Sequence, residues 1–250
     1  MSLPLGAVGT TMLAGVRVAA FLTVAPPFAN RAVPARVRVI LALGLALAVA
    51  PRLGGTTTTG TAPFLGNLVL QAAVGAALGF LVYLVFAAIE SAGSLVDLFG
   101  GFQLASAFDP LSMTGGAHFT RLYQMLALAL LVASDGHHVV LSGLVRSFEA
   151  LPLGTAPDPA AVATSATEGL TDMFVAALQI AGPLVVVLFL ADVGLGLLTR
   201  VAPALNAFAL GFPLKVLLAV SFAGMALLTM PGVVEAIVGD SASAIGEVLP

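Results

Sequence analysis

Arg17, Asp97, Asp135, Asp192 and Lys215 all stand inside or at the edges of hydrophobic stretches. A charge at mid-bilayer costs at least ~2.5 kcal/mol on insertion scales, so each of these groups is expected to face protein or a water-filled space. Glu90 and Asp97, seven residues apart, share one face of a helix with Gly93 and Ser94 between them, while Leu95, Phe99 and Phe102 make the other face apolar. Two acids in a stripe can line a hydrated passage or relay protons. The plainer reading, a polar helix side meeting a partner's basic groups or interfacial water, is favoured because isolated acids do not define a relay. His137 and His138 are adjacent, which on a helix points their side chains ~100° apart, unlike an i, i+4 pair that closes on one metal. With His118 as the only other imidazole and no Cys, a turn or structural role is expected, with no metal and no cofactor.

The elements that position these groups follow from composition. Of 250 residues 8% are charged and 60% hydrophobic, and the mean hydropathy is +1.12. A soluble domain carries about 25% charged residues, so lipid or partner protein must be much of the solvent. No Cys means no disulfide and no thiolate chemistry. A net charge of -3 with scattered cations gives no footprint for nucleic acid. No phosphate loop, Ser-His-Asp order or H-E-x-x-H helix occurs, so no enzyme is expected.

Apolar runs cover Gly6–Ala25, Val37–Ala50, Phe64–Ile89, Leu122–Val145, Met173–Ala191 and Pro213–Met230, and their lengths read as helices, several long enough to span a membrane. The first cation, Arg17, lies inside the first run, unlike the basic start of a secretory signal, so that segment is expected to be retained. The runs are interrupted at Asp135-Gly136-His137-His138, at Pro183 and at Arg200-Val201-Ala202-Pro203; freed backbone groups at such breaks need protein or water. Arg31, Arg36 and Arg38 cluster in one short loop and no Lys or Arg occurs from Ser147 to Thr199, which places the Arg loop in the cytoplasm and the acidic Ser147–Asp172 stretch outside it as an exposed loop. Arg200 returns inside only if Leu122–Val145 is a hairpin folded at Asp135-Gly136.

Gly75 and Gly79 form G-x-x-x-G within the longest run, which lets another helix approach closely; an assembly seam and the general abundance of glycine in membrane helices are both open readings. Between Ala105 and Gly116 the chain cannot stay helical through Pro110 and Gly115-Gly116. This break keeps Phe108, Leu111 and Met113, bulky apolar groups that suit either a yielding closure or a hairpin tip packed under a neighbour. Val234, Ile237, Val238, Ile245 and Val248 recur near helical spacing, which predicts a terminal amphipathic helix with acidic polar positions.

Three stretches together carry a resemblance: R-V-A-A-F-L-T-V-A-P-P-F-A-N-R-A-V-P-A-R-V-R (Arg17–Arg38), G-F-Q-L-A-S-A-F-D-P (Gly101–Pro110) and G-L-L-T-R-V-A-P-A-L-N-A-F-A-L-G-F-P-L-K (Gly196–Lys215). They resemble the flagellar biosynthetic protein FliR family, in order and over nearly the whole chain, and the G-F-P-L-K ending is more flagellar than that of the virulence-secretion counterpart. The resemblance implies a non-enzymatic subunit of the type III export gate in the bacterial inner membrane, at the flagellar basal body. Its partners would be the P and Q subunits, the B subunit and the unfolded flagellar proteins that pass through. The implied fold is an all-α polytopic membrane protein of broken, tilted hydrophobic helices. A P-like portion over residues 1–146 would contain the plug loop, 147–169 would be a polar loop, and 170–250 a Q-like helical hairpin with the amphipathic helix. By the same resemblance Leu104, Phe108, Asp109, Pro110, Leu111 and Met113 belong to a plug, though relatives often carry aromatics where this chain has Leu104 and Ala107. Arg31, Pro34, Arg36, Arg200, Pro203, Phe212 and Pro213 match signature positions with a role in assembly and folding, and Gly75 and Gly79 join them as packing residues. Arg17, Glu90, Asp97, Asp192 and Lys215 are expected to be buried ionisable groups.

The residues bear on two other classes. A secondary transporter would hold a small ligand near Asp97 and Asp192 at mid-membrane and would show inverted repeats, which are not visible. An intramembrane hydrolase needs paired catalytic groups at helical spacing, and the chain offers no Cys and no Ser-His pairing.

Overall fold

A computed structural model describes residues 5–30, 33–53, 60–102, 117–202 and 209–222. Among them every regular element is helical: α1 (Leu5–Val24), α2 (Ala35–Val49) with a short 3-10 turn at Ala50–Arg52, α3 (Thr61–Phe99), α4 (His118–Ala133), α5 (Gly136–Ala150) and α6 (Pro159–Val201), then α7 (Ala209–Phe222). Three of these, α1, α3 and α6, are long and apolar enough to cross a membrane, or four if α4 and α5 count as one bent span. The chain forms a polytopic all-α membrane protein.

Long helices arise because the apolar runs carry few breakers and their buried positions keep helical period. In α6, Ala177, Ala181, Leu184 and Leu188 are buried at i, i+4, i+7 and i+11, one continuous stripe across Pro183. That stripe explains why α6 runs unbroken through Pro183, where the sequence predicted an interruption. Proline removes one backbone bond, and a helix held on both sides of it tolerates the loss. The break at Arg200–Ala202 is present: α6 ends at Val201, before Pro203, which disfavours helix in the residue ahead of it.

The polar connection is also shorter than the sequence suggested. α5 continues to Ala150 and α6 begins at Pro159, so the non-helical part is 151–158 and not 147–169. Pro159 suits a first helical position, and Asp158 Oδ1 accepts from the Ala160 N–H at 3.0 Å. Threonines that argue for a loop instead bond back along the helix, Thr164 to the Ala160 carbonyl at 3.0 Å and Thr167 to that of Ala163 at 2.8 Å.

The α4–α5 junction is a bend of 76° and not a folded-back hairpin. Asp135 adopts a left-handed conformation at φ 56°, next to Gly136, and this single residue redirects the chain. Contacts divide the described residues into two compact units, one drawn from residues up to Val85 together with Leu131–Leu170, the other from Phe86–Leu130 together with those from Thr171 onward. The core of the first unit includes Leu13, Phe21, Leu22, Leu78, Leu144 and Phe148, and that of the second includes Ala92, Val96, Tyr123 and Leu188.

Candidate functional site

In the first unit the polar centre is Arg17. Leu13, Arg17 and Phe21 lie one helical turn apart on the buried face of α1, and Arg17 is 0% exposed. Its Nε donates to Gln71 Oε1 at 2.7 Å, Nη1 to the Ser147 carbonyl at 3.0 Å and Nη2 to the Leu151 carbonyl at 2.9 Å. The guanidinium carbon sits 4.4 Å above the centre of the Phe148 ring. Both carbonyls belong to the C-terminal end of α5, where free acceptor capacity and the negative end of the helix dipole favour a cation, although the Ser147 carbonyl also accepts from the Leu151 N–H at 2.9 Å; the ring face adds cation–π attraction. The charge is therefore balanced by dipoles, with no carboxylate needed. Gln71 Nε2 is buried without a hydrogen-bond partner among the described residues.

Gly75 lies one turn beyond Gln71 on α3, and a Cβ there would collide with the Arg17 carbonyl oxygen. At Gly79 a Cβ would come within 3.0 Å of the Phe21 carbonyl and of Val24 Cβ. The glycine seam faces α1 of the same chain, so the close approach it permits is intramolecular. It brings Gln71 within reach of Arg17.

In the second unit Asp97, also 0% exposed, caps α4. Its Oδ1 accepts from the Phe119 N–H at 2.9 Å, and Oδ2 accepts from the Thr120 N–H at 2.9 Å and the Thr120 hydroxyl at 2.7 Å. A carboxylate from another helix thus satisfies the orphan donors and the positive end of α4. Gly93, one turn earlier, makes room: a Cβ there would lie 2.6 Å from Thr120 Cα. Glu90, expected to pair with Asp97 in a stripe, is only half-buried.

Lys215 on α7 donates to Asp192 on α6, 2.6 Å to Oδ1 and 2.7 Å to Oδ2, and to the Phe99 carbonyl at the end of α3 at 3.1 Å. Side-chain exposure is 16% for Lys215 and 47% for Asp192, so Asp192 is not the buried acid expected from its apolar surroundings. Position 192 continues the row one turn past Leu188, where α6 is no longer buried. Phe102 follows, with ring centres 5.2 Å from Phe119, 6.3 Å from Phe212 and 6.3 Å from His118. Together these contacts fasten residues 97–102 to residues 118–120. The plug candidates Leu104, Phe108, Asp109, Pro110, Leu111 and Met113 lie between those fastened ends, outside the described residues, as do Arg31 and Pro203.

The remaining signature positions are surface features here. Pro34 caps α2 without a side-chain bond; Arg36, Arg200 and Pro213 are exposed; and Phe212 is exposed but edge-on to Phe102. Arg200 sits in the last turn of α6, where a cation complements the helix dipole.

The imidazole rings of His137 and His138 do not diverge as adjacency on a helix suggests: their centres are 4.3 Å apart. Donor atoms of Asp135, His137 and His138 lie within 4.8 Å of one another, and His138 Nε2 is 4.0 Å from Asp135 Oδ1. The left-handed turn at Asp135 folds its carboxylate back over the first turn of α5. With side chains of Asp135 and His138 81% and 72% exposed, this reads as a solvated polar cluster at a helix start.

Gln71 and Thr120 carry these sites without being marked by the sequence, and Gly93 is marked only as lying between Glu90 and Asp97. Gly93 and Asp97, four apart on α3, held a recoverable signal of a helix approached closely beside an acid. Gln71 and Thr120 gave none, since their partners are 54 and 23 residues away.

An all-helical membrane protein with charges turned inward onto helix ends is the class these observations define. Residues 8–241 match bacterial export proteins, family 1. The chain is 35% identical over 207 residues to flagellar biosynthetic protein FliR of Escherichia coli strain K12, covering 82% of this chain and 79% of the relative. It is 33% identical over 240 residues to FliR of Pectobacterium carotovorum subsp. carotovorum, covering 94% and 90%. Surface presentation of antigens protein SpaR of Shigella sonnei is 29% identical over 147 residues, 59% of this chain and 57% of that one. The chain belongs to the FliR family of bacterial export proteins, and so to the components of the type III export apparatus.

Proposed function

We propose that the chain is a subunit of the flagellar type III export gate in the bacterial inner membrane, where its helices contribute to the channel wall and the 103–116 connection plugs it. The reading is non-enzymatic: unfolded flagellar proteins pass, and the driving energy comes from elsewhere in the apparatus. The P and Q subunits and the B subunit are its partners. The division into a P-like portion over residues 1–146 and a Q-like hairpin over 170–250 belongs to the same proposal.

The observation that supports it best is the fastening of both ends of that connection. Asp97 binds the start of α4 and Lys215 binds the end of α3, while the sequence between them carries Phe108, Leu111 and Met113. A short apolar connection with its ends held together cannot drift from its site, which a seal requires. Support for partners comes from the exposed apolar side of α6, including Phe174, Leu178, Phe189, Leu190 and Leu197, which must be covered by lipid or protein. A transporter reading fares worse, because both oxygens of Asp97 and both of Asp192, the two acids it would use, are engaged within the chain.

Affinity purification of the tagged chain from flagellated cells in mild detergent tests the membership. Recovery of the P and Q subunits in constant ratio is expected; a solitary chain that binds a small solute would overturn the reading.

A further inference from the structure

All twelve acids lie at Glu90 or beyond, whereas five of the nine cations (Arg17, Arg31, Arg36, Arg38 and Arg52) precede it. Arg17 is consumed internally by carbonyls. Arg38 folds back, its Nη2 donating to the Asn30 carbonyl at 2.9 Å and the Val33 carbonyl at 3.1 Å, with a longer 3.5 Å approach to Ala29. Its Nε is buried with no partner among the described residues. Arg36 and Arg52 are exposed at the two ends of the α2 segment.

α2 has two distinct faces. Ala42, Ala46 and Val49 are buried, with Gly15 of α1 close enough that a Cβ there would meet Ala46 Cβ at 3.7 Å. On the opposite face Arg36, Ile40, Leu43 and Leu47 recur at i, i+4, i+7 and i+11. Ile40, Leu43 and Leu47 are 68%, 53% and 62% exposed, and a Cβ at Gly44 would meet nothing within 4 Å. The first turn of α2 carries no acid and no side-chain cap, so its orphan N–H groups and the helix dipole favour an anion beside Arg36.

We propose that the outer face of α2 is a binding site for an anionic phospholipid, with its phosphate on Arg36 and the start of α2 and an acyl chain along Ile40, Leu43, Gly44 and Leu47. The choice of occupant follows from charge and shape. The site asks for negative charge at Arg36 and offers apolar surface along the 15 residues of α2 before Arg52, about 22 Å of helix. One leaflet of acyl chain, half of a hydrocarbon core ~30 Å thick, fits within that length. Basic residues at the end of a membrane helix select anionic headgroups electrostatically. The open notch at Gly44 admits a methylene chain against the helix. This inference rests on membrane residence and not on the gate reading, so the two fail separately.

The test is native mass spectrometry of the full-length chain in its purified assembly, released from nanodiscs of equal phosphatidylglycerol and phosphatidylethanolamine. The wild type is expected to retain phosphatidylglycerol preferentially. Arg36→Gln should lower that retention about five-fold, the effect of one cation near a headgroup, and Gly44→Phe should lower it with every charge kept. Equal retention of both lipids by the wild type, or unchanged retention in Arg36→Gln, would overturn the site. A second readout uses the absence of native Cys. A photocrosslinker on Ile40→Cys should yield lipid adducts in native membranes, and an adduct with a protein subunit instead would assign this face to a partner and contradict the proposal.

Discussion

Arg17 gathers three helices at one guanidinium, and the energetics of that arrangement are lopsided. Replacing it with Met would leave the Leu151 carbonyl and Gln71 Oε1 without their donor and the Ser147 carbonyl with the Leu151 N–H alone, so a loss of about 3 kcal/mol is expected, seen as a lowered melting temperature in detergent. Gln71→Leu should cost less, since it removes an already unpartnered Nε2 together with one acceptor. A larger loss for Gln71→Leu than for Arg17→Met would contradict the assignment. Gly75→Ala should destabilise more than Gly79→Ala, because the added Cβ collides with the Arg17 carbonyl in the first case and only crowds the Phe21 carbonyl in the second. Gly44→Ala, which meets open space, serves as the neutral control and gains a little from helix propensity. The sequence alone shows that Arg17 cannot face lipid, since its run is apolar. It cannot show the neutral carbonyls that receive it, because those lie 130 and 134 residues away.

Elements were legible where period and breakers agreed. α1, α2 and the end of α6 at Arg200–Ala202 follow from apolar length and from Pro203. The errors came where a local rule met a longer-range stripe: Pro183 reads as a break, yet the buried row through Ala177, Ala181, Leu184 and Leu188 carries α6 past it. The start of α6 reads as loop because the stretch is acidic and polar, yet the hydroxyls of Thr164 and Thr167 bond to their own helix. Asp97 as a cap on another helix has no local signature at all. Asp97→Ala should therefore act on α4 and not on its own helix: a loss of about 1–2 kcal/mol and faster hydrogen exchange at Phe119–Tyr123, with α3 around Asp97 unchanged. Exchange that rises in α3 instead would refute the cap. The Lys215–Asp192 pair is worth less, roughly 0–1 kcal/mol given its partial exposure. Lys215→Met should mainly free the Phe99 carbonyl at the end of α3, which amide exchange over residues 99–102 would reveal.

Over the whole molecule, α3 with 39 residues and α6 with 43 extend about 58 and 64 Å, roughly twice a hydrocarbon core of ~30 Å. Neither can lie wholly in lipid, and their polar ends, at Asp97 and around Thr164 to Glu168, belong in protein or water. This is the physical reason that a simple count of apolar runs does not translate into a count of membrane crossings. Arg17, Asp97 and Lys215 serve as ties onto helix ends, and the tie at the end of α3 and the start of α4 brackets the connection proposed as the plug. The measurement that bears most directly on that account is ion conductance through the purified export assembly in planar bilayers, comparing the wild-type chain with one lacking Ala107–Gly116. The assembly should still form and become leaky to small ions without that segment; an intact assembly with unchanged conductance would contradict the account.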